Sequence, residues 1–97
     1  MANFLNKLFD FNKKEVKKLE KAIADYTNAY NNAIKEDTNI SHITSILESR
    51  AHIYYTQKNY SAADNDYRLM LKHDEANQAA MVGHARNIVT YRAVNTV

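Results

Sequence analysis

The chain has no cysteine, no proline, no tryptophan and a single glycine, Gly83, in 97 residues. Without cysteine there is no disulfide, no thiolate nucleophile and no cysteine-ligated zinc site. With no proline and one glycine, the turn punctuation of a β-rich or loop-rich fold is missing, whereas helices need none. Long apolar runs are missing too. Nothing approaches the roughly 20 residues of a membrane-spanning helix, and the first residues lack the apolar stretch of a secretory signal. Ala2 stands where a myristoylation signal needs glycine, and prenylation needs a cysteine. These absences fit a cytoplasmic protein, with peripheral attachment to a membrane left open.

What is present suits helices. Hydrophobic residues make up 45% of the chain, enough for one modest core in one small domain. The net charge of +2 is too small to imply a nucleic-acid partner, and no aromatics or arginines interleave the lysines to read or stack on bases. The distribution of charge says more. Residues 1–24 carry six lysines against Asp10, Glu15 and Glu20, while residues 25–75 carry eight acidic and five basic side chains. The N-terminal end is the basic end.

Apolar spacing predicts an amphipathic segment over 1–11 and a helical domain over 12–97, with helices at about 13–36, 41–58, 61–73 and 75–92. Phe4, Leu5, Leu8 and Phe9 form a narrow stripe in the first segment, and Phe11 extends it. Asn12 followed by Glu15 predicts a helix start. From there Val16, Leu19, Ile23, Tyr26, Tyr30 and Ala33 recur in steps of three and four, a coiled-coil-like seam. Lys14, Lys17, Lys18 and Lys21 lie outside it, a pattern that ordinarily marks a solvated face. Asp37-Thr38-Asn39 breaks the pattern, with Ser41 expected to cap the next helix and Ile40 to staple it. Arg50 interrupts the apolar face that Ile43, Ile46, Leu47, Ile53 and Tyr54 make, and must be paired or reach an edge. Ser61 with Asp64, then Asp74, are the expected caps of the last two helices. Gly83 weakens the last helix by about 1 kcal/mol relative to alanine unless a close contact requires it.

Leu47-x-x-Arg50-Ala51-x-x-Tyr54, Ala63-x-x-x-Tyr67 and Asp74-Glu75 together resemble one unit of the tetratricopeptide repeat. Ala51 and Ala63 would let two antiparallel helices approach, with Leu47, Tyr54 and Tyr67 filling the space around them. Arg50 stands where a leucine is usual, Lys58 where a glycine is common and Glu75 where the family has proline. The expected fold is all-α: about four helices, a tetratricopeptide-like antiparallel hairpin with capping helices. A generic helical hairpin is the competing description.

That resemblance implies a groove. Glu48, His52 and Tyr55 would project from the groove side of the first helix of the pair, with Arg86 and Val89 at the corresponding positions of the last helix. Such a surface could hold a helix or an extended peptide. The family's chaperone-binding members use a lysine and asparagine clamp for a terminal carboxylate. Glu48 and His52 occupy those positions here, so that ligand is not expected. A groove filled by the N-terminal segment or by a second copy is the alternative, and the seam of Tyr26 and Tyr30 offers a route to a homodimer.

A second resemblance covers the first quarter of the chain. Met1-Ala-Asn-Phe-Leu-Asn-Lys-Leu-Phe-Asp10, then Asn12-Lys-Lys-Glu-Val-Lys-Lys-Leu-Glu-Lys21 and Ile23-Ala-Asp25, resemble the opening of the preprotein translocase motor SecA of Gram-positive bacteria, with Ala22 inserted. The phosphate-binding loop of that family has no counterpart, so its ATPase activity is not implied. The resemblance implies a bacterial, Gram-positive source or its phage or plasmid. It also implies a basic N-terminus working near an anionic membrane surface or the Sec translocase, through Phe4, Leu5, Leu8, Phe9, Lys14, Lys17, Lys18 and Lys21.

Catalytic chemistry finds little support. His42, His52, His73 and His84 share no metal-ligand spacing, and Glu48 with His52 makes only two ligands. Neither a metal nor a cofactor is expected. The expected function is non-enzymatic, a helical adaptor for a protein or peptide. The alternative is a peripheral membrane or translocase-associated factor acting through its N-terminus.

Overall fold

The computed structural model describes residues 2–95, with the side chains of residues 2–4, 8 and 9 outside the description. Four helices follow in order: α1 (Ala2–Lys35), α2 (Ile40–Thr56), α3 (Tyr60–His73) and α4 (Gln78–Asn95). No strand occurs among the described residues. Each helix packs antiparallel on the one before it. The connections, residues 36–39, 57–59 and 74–77, are too short for any other order between packed neighbours. The fold is all-α, built of helical hairpins.

The turns are set by local chemistry, and the same device recurs. Asn39, Asn59 and Asn77 each accept a hydrogen bond from the backbone N–H three residues on, at His42, Ala62 and Ala80. An asparagine at the N-cap satisfies a donor that the helix itself cannot. Ser41, Ser61 and Asp74 are therefore not the caps. Ile40 is half exposed, and Asp74 closes α3, as expected, without capping α4. Asparagine matches the serine's reach and lies nearer the turn, so each loop is one to three residues off its expected place.

Two of the turns also carry a left-handed residue. Asp37 has φ 53° and Lys58 has φ 63°. After each, the next N–H returns to the helix: Thr38 N to Ala33 O at 3.0 Å, and Asn59 N to Tyr54 O at 2.8 Å. This is the six-to-one bond of a Schellman end, where glycine is the unstrained choice. Lysine pays a steric cost of about 1 kcal/mol there. Lys58→Gly is thus expected to raise stability by about 0.5–1 kcal/mol, checked by thermal denaturation; an unchanged or lower midpoint would refute the strain.

Helix α1 differs from the sequence expectation at its start. It is continuous from Ala2 through Asn12, which is neither a cap nor a boundary, because no proline or glycine interrupts the run and a mid-helix asparagine costs only tenths of a kcal/mol. At about 1.5 Å per residue its 34 residues span about 50 Å. Helix α2 has 17 residues and covers only the C-terminal half. The N-terminal half overhangs, with Leu5 67% and Phe11 58% exposed. The radius of gyration, 16.1 Å against about 13 Å for a compact chain of this length, reflects that projection.

The core lies on α2 and α3. Leu47, Ala51, Ala63 and Met70 are fully buried in one cluster shared by these two helices. The seam of α1 is used within the chain: Tyr26, Ala29 and Tyr30, partly buried, and Ala33, buried, belong to this core. On the far side Asn87 donates through Nδ2 to the Tyr60 carbonyl at 2.8 Å, and His84 pairs with Asp64, fixing α4 to α3.

Arg50 finds its partner in Asp66, which is 1% exposed. The guanidinium makes two bonds to the carboxylate, Nε to Oδ2 at 2.8 Å and Nη2 to Oδ1 at 2.5 Å. A third, from Nη1 to Thr27 Oγ1 at 3.1 Å, reaches α1. The rings of Tyr30 and Tyr54 lie 5.6 and 5.9 Å from the guanidinium carbon. One cation thus ties three helices. Its pKa is raised, chiefly by the hydrogen bonds to Asp66, against the opposing pull of burial and with the Asp66 charge adding to the rise. A raised value means stability present at every pH below the ordinary guanidinium range and lost only above it.

Candidate functional site: a groove between α2 and α4

Alanine and glycine at the facing positions of α4 leave room above the α2–α3 pair. The result is an open groove of about 660 Å³. Glu48, Ser49, His52 and Ile53 of α2 form one wall, and Gln78, Ala79, Val82 and Arg86 of α4 the other. Tyr26 from α1 closes one side, and Tyr67 with Gly83 contributes to the lining. Glu48, His52, Val82 and Arg86 are exposed to solvent along it.

Gly83 explains why α4 lies so close to α3. A Cβ built on it would stand 2.8 Å from Tyr67 Cδ1 and nearer still to Cε1 and Cζ. Tyr67 is buried. The single glycine of the chain therefore sits where the ring of Tyr67 approaches the backbone of α4. From there Tyr67 Oη accepts a hydrogen bond from Arg86 Nη2 at 3.2 Å. The guanidinium of Arg86 also lies over the ring of Tyr55, 4.3 Å from its centroid, a cation–π geometry. Tyr55 in turn is held by Thr90, Oη to Oγ1 at 2.8 Å, and by the edge of Tyr60. Arg86 is fixed from two sides. Among the described residues no carboxylate pairs with it.

Of the five residues placed in the groove from sequence, the structure brings Glu48, His52 and Arg86 together. Tyr55 lies beneath Arg86 rather than along the lining, with Tyr60 and Thr90 as its other neighbours. Val89 is 66% exposed on the outer side of α4 and does not line the groove. Tyr26, Ile53, Tyr67, Ala79, Val82 and Gly83 were not expected there. The lone glycine inside an otherwise helical run was the one signal in the sequence that could have pointed to them.

The other candidate residues sit elsewhere. Leu5, Lys14, Lys17, Lys18 and Lys21 are exposed along the overhang of α1. The side chains of Phe4, Leu8 and Phe9 lie outside the described residues. His73 meets Tyr30 and His84 meets Asp64, so two of the four histidines serve helix packing. Among the described residues no group of His, Asp and Glu could hold a metal ion, and no helix is long and apolar enough to cross a membrane. No protein-family model, curated protein or solved structure matches the chain.

Proposed function

We propose that the protein is a non-enzymatic adaptor that holds a peptide, or a helix of a partner protein, in the α2–α4 groove. The observation that carries this reading is Arg86, a cation fixed over Tyr55 and by Tyr67 at the groove wall, facing Glu48 and His52 on α2. Side chains already fixed in the free protein lose little entropy on binding, so their contacts translate into affinity. Exposed apolar surface at Val82 and Ala79 beside these polar groups suits an amphipathic segment.

The test is a selection of random displayed peptides on the full chain, followed by affinity measurement on variants. An enriched peptide is expected to lose tenfold or more, about 1.4 kcal/mol, on Arg86→Ala, and less on Glu48→Ala or His52→Ala. Leu5→Asp should leave it unchanged. Binding that survives all three groove substitutions would eliminate the groove.

A second reading has its own observation, the bare overhang of α1. Exposed Leu5, Phe11 and Val16 beside Lys14, Lys17, Lys18 and Lys21 form a basic amphipathic helix, which suits an anionic bilayer or a translocase docked to one. Sedimentation with anionic vesicles at low salt, lost on Leu5→Asp and weakened by salt, is the expected result. A wild-type protein that ignores such vesicles would end this reading.

A further inference from the structure

One carboxylate and one guanidinium line the α2–α4 groove, and they stand at opposite ends of it: Glu48 and Arg86. Helices α2 and α4 are both antiparallel to α3, so they run in the same direction. Glu48 and Tyr55 are seven residues apart on α2, about 10 Å along its axis. The guanidinium of Arg86 lies over the ring of Tyr55, and so stands about 10 Å along the groove from Glu48. His52, Ile53 and Val82 line the stretch between. Both charged side chains are exposed, and neither is matched within the chain. Among the described residues no cation pairs with Glu48 and no carboxylate with Arg86.

We infer that the groove reads the order of charge along a partner's helix, with an aspartate or glutamate set against Arg86 and a lysine or arginine seven residues later set against Glu48. The inference rests on the groove holding a partner segment, and adds that segment's chemistry and direction. Residues seven apart share one face of a helix and lie about 10 Å apart, the separation of the two charges on the walls. A flat strand alternates faces and offers only about 7 or 13 Å on one side. The third or fourth position between the two charges faces Ile53 and Val82, and is apolar. The acid comes first because a helix dipole favours a carboxylate in the first turn and a cation in the last. The bound helix then runs antiparallel to α2 and α4.

The setting of Arg86 suits this role. Its bond to Tyr67 uses one donor of Nη2, and Tyr55 covers one face of its plane, which leaves the other donors for a carboxylate. A helix of reversed order would set cation against Arg86 and carboxylate against Glu48, two repulsions in place of two pairs. The same rule excludes a second copy of this chain as the occupant. The exposed overhang of α1 offers one acid-first pair at this spacing, Asp10 and Lys17, but Lys13 and Lys14 fill the positions between them that need to be apolar. The partner is a different protein.

The test is a displayed library of helical peptides about 16 residues long, some four turns, randomised on all faces and selected on the full chain. Enriched peptides are expected to carry an acidic residue, an apolar one three or four positions on, and Lys or Arg seven positions on. Charge exchange with one enriched peptide then reads each contact. Arg86→Glu should weaken binding at least about tenfold, and replacing the peptide's acidic residue by lysine should restore it to within about threefold. Glu48→Lys, with the peptide's cation replaced by glutamate, should behave the same way. Rescue by the exchanged peptide also shows that each variant is folded. Peptides that need the groove but carry the reverse order, a spacing of three or no charge pair, or that exchange does not rescue, would overturn this inference and leave the adaptor reading standing. No enrichment, or binding that ignores Arg86→Ala, Glu48→Ala and His52→Ala alike, would remove both.

Discussion

Asp66→Ala is expected to cost about 3–5 kcal/mol, the largest loss of any single polar substitution in this fold. Asp66 is 1% exposed and takes two hydrogen bonds from Arg50, so its removal leaves a guanidinium inside the α1–α2–α3 junction with only Thr27 to bond. A domain of this size holds roughly 5–15 kcal/mol in total, so the variant should lie near the edge of folding. The pair need not be a net gain over apolar contacts. Two charges taken out of water repay their desolvation only when each meets the other well. Combining Arg50→Leu with Asp66→Leu should therefore recover most of the loss, and urea denaturation of the double-mutant cycle measures it. Additive single losses would contradict the coupling. Because the Arg50 pKa is raised, its contribution should not fade between neutral pH and pH about 10.

Gly83→Ala is the second large effect, and its sign is the informative part. Helix propensity alone makes the substitution stabilising by about 1 kcal/mol. The new methyl would instead overlap the ring of Tyr67, which is buried between α3 and α4. Overpacking of that kind costs about 1–3 kcal/mol, and the ring cannot swing aside without losing its bond to Arg86. A net loss is expected, with a drop in the thermal midpoint. Ala85→Gly, two residues on and exposed, serves as the control and should cost only about 1 kcal/mol. A more stable Gly83→Ala would show that α4 does not lie this close to α3.

These two residues also mark where the sequence was readable. Gly83 announced a close approach, since an isolated glycine inside a helix is disfavoured unless something needs the space. Arg50 on an apolar face announced either a partner or an edge position, but nothing in spacing pointed to Asp66 sixteen residues on, in the next helix. Four helices followed from periodicity, because the apolar residues recur at helical steps with no proline to disturb them. The asparagine caps were missed because Ser41 and Ser61, equally good acceptors, lie within two residues of them. Asn12 failed for the same reason in reverse: a capping residue does not make a helix end unless the pattern changes there. In the groove, Glu48, His52 and Arg86 were legible from helical phase. Tyr55 and Val89 were not, since one turn of helix decides between lining a groove and supporting or flanking it.

The most direct measurement is an amide-shift map of the isotope-labelled full chain titrated with a peptide enriched by selection. Changes gathered on Glu48, Ser49, His52, Gln78, Val82 and Arg86, absent in Arg86→Ala, are the expected result. Changes gathered on residues 5–18 instead, with the α2–α4 groove silent, would contradict the adaptor reading and make the overhang of α1 the working surface.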